Sequence, residues 1–226
     1  MSEHQYRNTL AIDTATMHLR LALSFGGDRQ VKSDNLMERS HGQVLIKKID
    51  ELFQSAGLDQ QALEALVVCL GPGSFTGLRI GLAGAKGMAV ALGIPIVGIN
   101  LFDLAAYKLR SYSEPVVLLL PHRRDEFFVA TIEQGAYNLP EVGTISASTV
   151  REAVSGKQVR LIGFNEDMLP LEPDAMTMVQ VLEYDATDLL HLGLKRLTGK
   201  GPDDTASLEP MYLQNSQAEI RFEERR

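Results

Sequence analysis

The sequence predicts an α/β protein made of two similar βββαβαβα-type halves, the second of them reduced. Two observations predict it. Short segments with apolar residues alternating or continuous, separated by turn residues, open the chain and recur near its middle. Each such run is followed by helical and strand-like segments in alternation. The two runs meet near Arg110 to Glu114, which divides the chain into a first domain at 1–110, a reduced second domain at 111–205 and a tail at 206–226.

In order, Thr9 to Thr14 reads as a buried strand. In His18 to Phe25, Leu19, Leu21, Leu23 and Phe25 alternate with Arg20 and Ser24, one face in and one out. Gly26-Gly27-Asp28 supplies turn chemistry before a polar edge strand, Arg29 to Ser33. Ser40 with Gln43 forms a capping-box pattern, after which Leu45, Ile49, Leu52, Phe53 and Ala56 share a helical face that ends at Gly57. A short turn after Asp59, a strand from Ala65 to Leu70, a glycine-rich bend and a helix from Thr76 to Leu92 follow. Ile94 to Ile99 is a strand, and Asn100 caps a helix to about Leu109. The second half repeats the opening with strands at Val116 to Leu120, Phe127 to Ile132 and about Val142 to Ile145. A helix capped by Ser148 or Thr149 with Glu152 comes next, then strands at Val159 to Gly163 and Thr177 to Val181. Asp185 caps the last helix, Gly199 to Asp204 is a loop, and the tail beyond is loosely held.

With 226 residues and 45% hydrophobic content, the chain has the material for a sizeable core. A net charge of -7 disfavours a broad phosphate-binding face, so any RNA would be held by another component. No run approaches the roughly 18 apolar residues of a membrane helix. Met1 to Asn8 is polar where a signal peptide would be apolar. These features place the protein in the cytoplasm, with no membrane role. The single cysteine, Cys69, sits in an apolar run and reads as a buried structural thiol.

Between a strand and a helix lies Leu70-Gly71-Pro72-Gly73-Ser74-Phe75-Thr76-Gly77. Gly71, Gly73, Ser74 and Thr76, with Asp13 and Thr14 at the end of the first strand, could form an anion or nucleotide loop. The alternative is a tight structural turn. No Gly-Lys-Ser/Thr closes a phosphate loop, and the glycine spacing misses the dinucleotide fingerprint by one residue. The helix after the bend carries Leu78, Leu82, Ala85, Ala89 and Leu92 on one side, and Ile80, Ala83, Gly84, Gly87 and Ala91 on much of the other. Each helical glycine costs about 1 kcal/mol relative to alanine, so Gly81, Gly84 and Gly87 imply a close neighbour. That neighbour is either this chain or a partner. The five histidines show no metal-ligand spacing, and Ser74 lacks a nucleophile elbow.

Asp13-Thr14-Ala15, Arg39-Ser40-His41 and Gly71-Pro72-Gly73-Ser74-Phe75-Thr76-Gly77-Leu78-Arg79-Ile80-Gly81 together closely resemble the TsaB family. Ile94 to Ile99 and Pro210-Met211-Tyr212-Leu213 extend the resemblance over essentially the whole chain. It implies the actin-like fold, of the sugar kinase and heat-shock chaperone type. It also implies a non-catalytic subunit of the machinery that places a threonylcarbamoyl group on an adenosine beside the tRNA anticodon. TsaD, the paralogue, performs that transfer with a bound metal, and TsaE is an ATPase of the assembly. The resemblance therefore assigns ATP and metal to partner proteins and no cofactor to this chain. TsaD holds its metal with a His-x-x-x-His pair, whose positions fall near Leu101 and Ala105 here, so the catalytic centre is expected to be absent. The two long helices of the first domain would pack on TsaD, or on a second copy of the chain, with His41, Leu45, Lys48, Leu78, Arg79, Leu82, Gly84, Lys86 and Gly87 as the partner-binding residues. Transfer RNA would be reached indirectly, through the complex. Where the family has Asp-Ala-Arg-Arg at the second hairpin, this chain has Pro121-His122-Arg123-Arg124. A nucleotide-dependent phosphotransferase of the same fold, using Asp13 and the glycine-rich bend, is the competing reading.

Overall fold

A computed structural model describes residues 6–36, 42, 44–112, 116–123, 126–133, 136–138, 144–154, 159–163 and 177–212. Five strands form the first sheet: β1 (Thr9–Asp13), β2 (His18–Phe25), β3 (Arg29–Leu36), β4 (Ala65–Cys69) and β5 (Ile96–Ile99). Their order is β3-β2-β1-β4-β5. The hairpin pairs are antiparallel, and β4 and β5 join parallel to β1 and to each other. Those parallel additions require crossovers. Helices α1 (Leu45–Ala56) and α2 (Phe75–Leu92) provide them.

The second sheet repeats the plan. Its strands are β6 (Val116–Arg123), β7 (Glu126–Glu133), β8 (Ala136–Asn138), the short β9 (Ile145–Ser146), β10 (Val159–Gly163) and β11 (Thr177–Val181). The order β11-β10-β6-β7-β8, with antiparallel β6-β7-β8 and parallel β6-β10-β11, maps strand for strand onto the first sheet. This duplicated order is the actin-like plan. Helix α3 (Leu101–Leu109) follows β5, and Phe102 stacks on Tyr137. Helix α4 (Ala147–Val154) packs Ala147 and Val150 with Leu119, Phe127 and Leu161.

Boundaries moved where caps were misjudged. The Ser146 hydroxyl, not Ser148 or Thr149, accepts from the Thr149 amide, so α4 starts earlier than expected. Ser40 and Gln43 lie outside the described residues, and Val44 precedes α1 without a side-chain cap. Gly57 ends α1 with φ 63°, as the sequence predicts. Strand β8 was missed because three residues carry too little alternation to register.

The last helix, α5 (Ala186–Lys200), departs from the expected division of the chain. Contacts group Met1–Leu101 with Tyr184–Met211, and Phe102–Glu183 separately. Helix α5 lies across the first sheet, touching all five strands. Val67 points at Gly193 of α5, whose added Cβ would meet the Val67 methyls at 2.4 Å. Its neighbours Leu66 and Val68 instead join the core under α1 and α2. Alternation along β4 thus puts α5 on one face of the sheet and α1 with α2 on the other. Buried Leu189, Leu190 and Leu197 gave α5 an apolar stripe, but a stripe alone does not say which sheet it covers.

Asp185 caps α5, accepting from the Thr187 amide at 2.7 Å and pairing with Lys32 of β3. Partial burial works against its ionisation, but the hydrogen bonds from Lys32 and Thr187 outweigh it and hold the carboxyl at about 2. A depressed folded-state value gives stabilisation that is present above 3.8 and lost as pH falls toward about 2. With a third of the side chain exposed, solvent screening reduces the effect. Asp185→Ala should cost about 1 kcal/mol in urea unfolding at pH 7. The gap from the parent should narrow at pH 3 and close near pH 2.

Residues 206–211 are not a loose tail. After α5 the chain runs as a strap from β5 to the end of β4: the Asp203 amide donates to Ile96 O at 2.9 Å and the Met211 amide to Leu70 O at 2.7 Å. Leu208 is buried in the first core. Residues 213–226 lie outside the described set. Among the described residues no helix is long and apolar enough to cross a membrane.

Candidate functional site

Helices α1 and α2 lie side by side on one sheet face, and their inner stripes make the core. Leu45, Leu78 and Leu82, expected to bind a partner, are buried within this chain. They are core residues, because the sheet-facing stripe of each helix is also its most apolar one. Outward, α2 presents Arg79, Ala83, Gly87 and Val90, the last 73% exposed, and α1 presents Ile46, 62% exposed. The Arg79 guanidinium lies 3.8 Å above the Phe75 ring. Lys48 is half-buried and pairs with Glu51 at 2.8 Å. Lys86 donates to the carbonyl of Ala206 at 3.0 Å, so its ammonium is engaged within the chain. His41 lies outside the described residues.

The helical glycines answer separately. A Cβ on Gly77 would sit 2.2 Å from the Thr14 carbonyl oxygen, and one on Gly81 2.2 Å from the Thr14 hydroxyl. On Gly84 it would meet the tip of Leu45 at 3.0 Å; on Gly87 it would meet nothing within 4 Å. Three of the four are therefore explained by this chain's own close packing. Gly87 alone faces outward without a neighbour.

The glycine-rich bend is a structural clasp between β1 and α2. A Cβ on Gly73 would stand 2.1 Å from the Ala15 carbonyl oxygen, which accepts from the Ser74 amide at 2.7 Å. Ser74 caps α2, accepting from the Gly77 amide at 3.2 Å. Gly73, Ser74 and Thr76 are exposed, whereas Gly71 is buried and its carbonyl accepts from the Leu101 amide at 2.6 Å. Thr14 is buried, and its hydroxyl has no hydrogen-bond partner.

Asp13 has no exposed side-chain surface. One of its oxygens accepts from the Ala15 amide at 2.8 Å. The other accepts from the Tyr184 hydroxyl at 2.8 Å and lies 3.6 Å from Arg20 Nη1. Arg20 also donates to Tyr184 Oη and Thr16 Oγ1, each at 3.0 Å, and to Asp34 at 3.2 Å, with its guanidinium 4.5 Å above the Tyr184 ring. Burial, then the Asp13 charge, pushes the Tyr184 phenol and the Cys69 thiol well up. Burial acts to lower the Arg20 value, but Tyr184, Asp13 and Asp34 outweigh it and raise it. Both oxygens of this fully buried carboxylate are thus engaged by the chain's own groups. Arg20 and Tyr184 were missed as members of this cluster. The signal for Arg20 was available, because hairpin register sets it directly opposite Asp13.

Leu101 and Ala105, where the resemblance aligns a metal-binding histidine pair, are apolar and buried. They do not fit a metal. Among the described residues no group of three or more His, Cys, Asp or Glu side chains is placed to hold one. Pro121, His122 and Arg123 lie in β6, and Arg124 is outside the described residues.

The chain is similar to proteins of one family. The sequence profile of the family described as TsaD, tRNA N6-adenosine threonylcarbamoyltransferase, matches residues 34–166. A Haemophilus influenzae protein named tRNA threonylcarbamoyladenosine biosynthesis protein TsaB is 33% identical over 126 residues, 54% of this chain and 52% of that one. The Escherichia coli protein of the same name is 35% identical over 91 residues, 40% of this chain and 39% of that one. The chain thus spans about half the length, or less, of these curated relatives. A Pseudomonas aeruginosa crystal structure, described as an uncharacterized protein with similarity to peptidase YeaZ, superposes with a TM-score of 0.72 at 25% identity, over 92% of this chain and 99% of that one. Another, YeaZ from the same organism, gives 0.70 at 26% identity, over 91% and 99%. The chain belongs to the TsaD, tRNA N6-adenosine threonylcarbamoyltransferase, family, and its resemblance within it is to the members named TsaB.

Proposed function

We propose that this chain serves tRNA threonylcarbamoyladenosine biosynthesis as a non-catalytic subunit that docks a TsaD-type paralogue through the outward faces of α1 and α2. The observation that carries the reading is the outward face of α2, where Ala83, Gly87 and Val90 are exposed and a Cβ on Gly87 meets nothing. Small residues there allow a second backbone to come close, so specificity arises from shape. Apolar residues at 101 and 105 support a subunit that leaves the chemistry to its partner. The same face suits a second copy when the paralogue is absent. A TsaE-type ATPase and tRNA belong to the assembled complex, in the cytoplasm. The phosphotransferase reading is disfavoured by the burial of the Asp13 carboxylate and its hydrogen bonds within the chain.

Residues for the test must lie outside the core, which rules out Gly84, since any side chain there meets Leu45. Gly87→Arg and Val90→Asp should leave the far-UV spectrum and melting temperature close to the parent. Both should weaken co-purification with the TsaD-type paralogue at least about tenfold, because a charge desolvated at the centre of an interface is costly. Reconstituted tRNA modification should fall in step. Full binding and activity in both variants would remove this face from the interface.

A further inference from the structure

Lys86 stands beside the exposed stripe of α2, yet its ammonium group is given to the chain's own strap, on the carbonyl of Ala206. The strap is anchored on β5 and, through Leu208, in the core that α2 also enters. The Asp203 carboxylate accepts from the Gly98 amide at 2.8 Å, and Arg196 bridges Asp203 to the Gly98 carbonyl. Leu208 packs with Leu70 against Gly98, where an added Cβ would meet both side chains. Strand β5 is the edge of its sheet, and the strap bonds to that edge at Asp203.

The two halves of α2 are held differently. The first is locked by Gly77 and Gly81 against Thr14 and by buried Leu78 and Leu82. In the second, the fully buried residues are Ala85 and Ala89, which supply little apolar area, Met88 and Leu92 are only partly buried against the core, and Gly84 and Gly87 weaken the helix itself. A lateral tether therefore has most leverage there, and Lys86 is placed to provide it.

We propose that the strap is a positioning device for the docking helix: clasped on β5 through Asp203, it fixes the second half of α2 through Lys86 in the orientation a partner takes. The inference rests on the docking reading for its consequence, though not for the coupling itself. Lys86 is in this view a positioning residue.

The test uses the full chain with Lys86→Met, Lys86→Arg, Asp203→Ala and the Met/Ala double variant. In the free chain, Asp203→Ala should speed amide hydrogen exchange across residues 84–92, and Lys86→Met should speed it in 203–211. Affinity for the TsaD-type paralogue should fall about tenfold in each of these two single variants. The double variant should bind little more weakly than either, because both break one linkage. Lys86→Arg, which keeps a donor, should bind like the parent. Additive losses, or unchanged exchange in 84–92 on Asp203→Ala, would overturn the proposal. If Asp203→Ala does not fold, exchange in 203–211 on Lys86→Met against Lys86→Arg decides the coupling, and equal rates overturn it. A parent chain with no affinity for the paralogue defeats the docking reading instead, and the exchange data then judge the strap alone.

Discussion

Gly77→Ala should destabilise the protein by about 3 kcal/mol or more, while Gly87→Ala, on the same helix, should stabilise it by about 1 kcal/mol. The new methyl at 77 would lie 2.2 Å from the Thr14 carbonyl oxygen. Backbone has to move to admit it, and β1 has little freedom there. The Ala15 amide is held by Asp13, and the Ala15 carbonyl receives the Ser74 amide. At 87 the methyl meets nothing, so the ordinary helix preference for alanine is all that remains. Gly81→Ala should fall between, since its nearest obstacle is a side-chain hydroxyl without a partner, with the Thr14 Cβ and methyl at 3.2 Å, and not backbone. Urea midpoints of the three variants check the series. Equal losses at 77 and 87 would mean that the outward face of α2 is not open. Binding adds a second reading of the same variant: if a partner backbone approaches Gly87, Gly87→Ala should gain stability while losing affinity.

This graded series marks where sequence reasoning stopped. Glycine in a helix announces that something is close, but does not identify the neighbour. Thr14 and Leu45, distant in sequence, turned out to be two such neighbours. Strand and helix positions were far more legible, because period-two and period-3.6 patterns mark the elements: β2, β10 and β11 have the expected bounds, although Ser24, on the face of β2 expected to point outward, is buried. Helix α5 shows the limit of the same signal. Its stripe and its Asp185 cap were visible, yet the sheet it covers is decided by the whole chain's packing. At the candidate site, Leu78 and Leu82 were misassigned for a related reason. The wheel divides α2 into two apolar sides, and burial alone tells which is core. Lys86 looked like an interface charge, since no local pattern reveals a carbonyl 120 residues away.

Asp13→Ala should cost about 3–5 kcal/mol, because removing one member of a buried charge cluster strands the rest. Arg20 has 12% of its side chain exposed and would keep Asp34, whose own side chain is 47% exposed and a weaker counter-charge. The Tyr184 hydroxyl and the Ala15 amide would each lose their acceptor. Asp13→Asn keeps the acceptor for Ala15 but sets an amide donor facing Arg20 and removes the charge, so about half the loss should remain. Tyr184→Phe should cost about 1–2 kcal/mol. Its effect should be smaller in the Asp13→Ala background, since the hydroxyl then has no carboxylate to serve. Urea unfolding of the four variants measures the cycle. A phosphotransferase using Asp13 would behave oppositely: the carboxylate would be held ready for a ligand, so its removal would leave stability nearly unchanged and abolish turnover. A stable, fully folded Asp13→Ala protein would therefore defeat the structural assignment and return the β1 carboxylate to the list of groups available for chemistry.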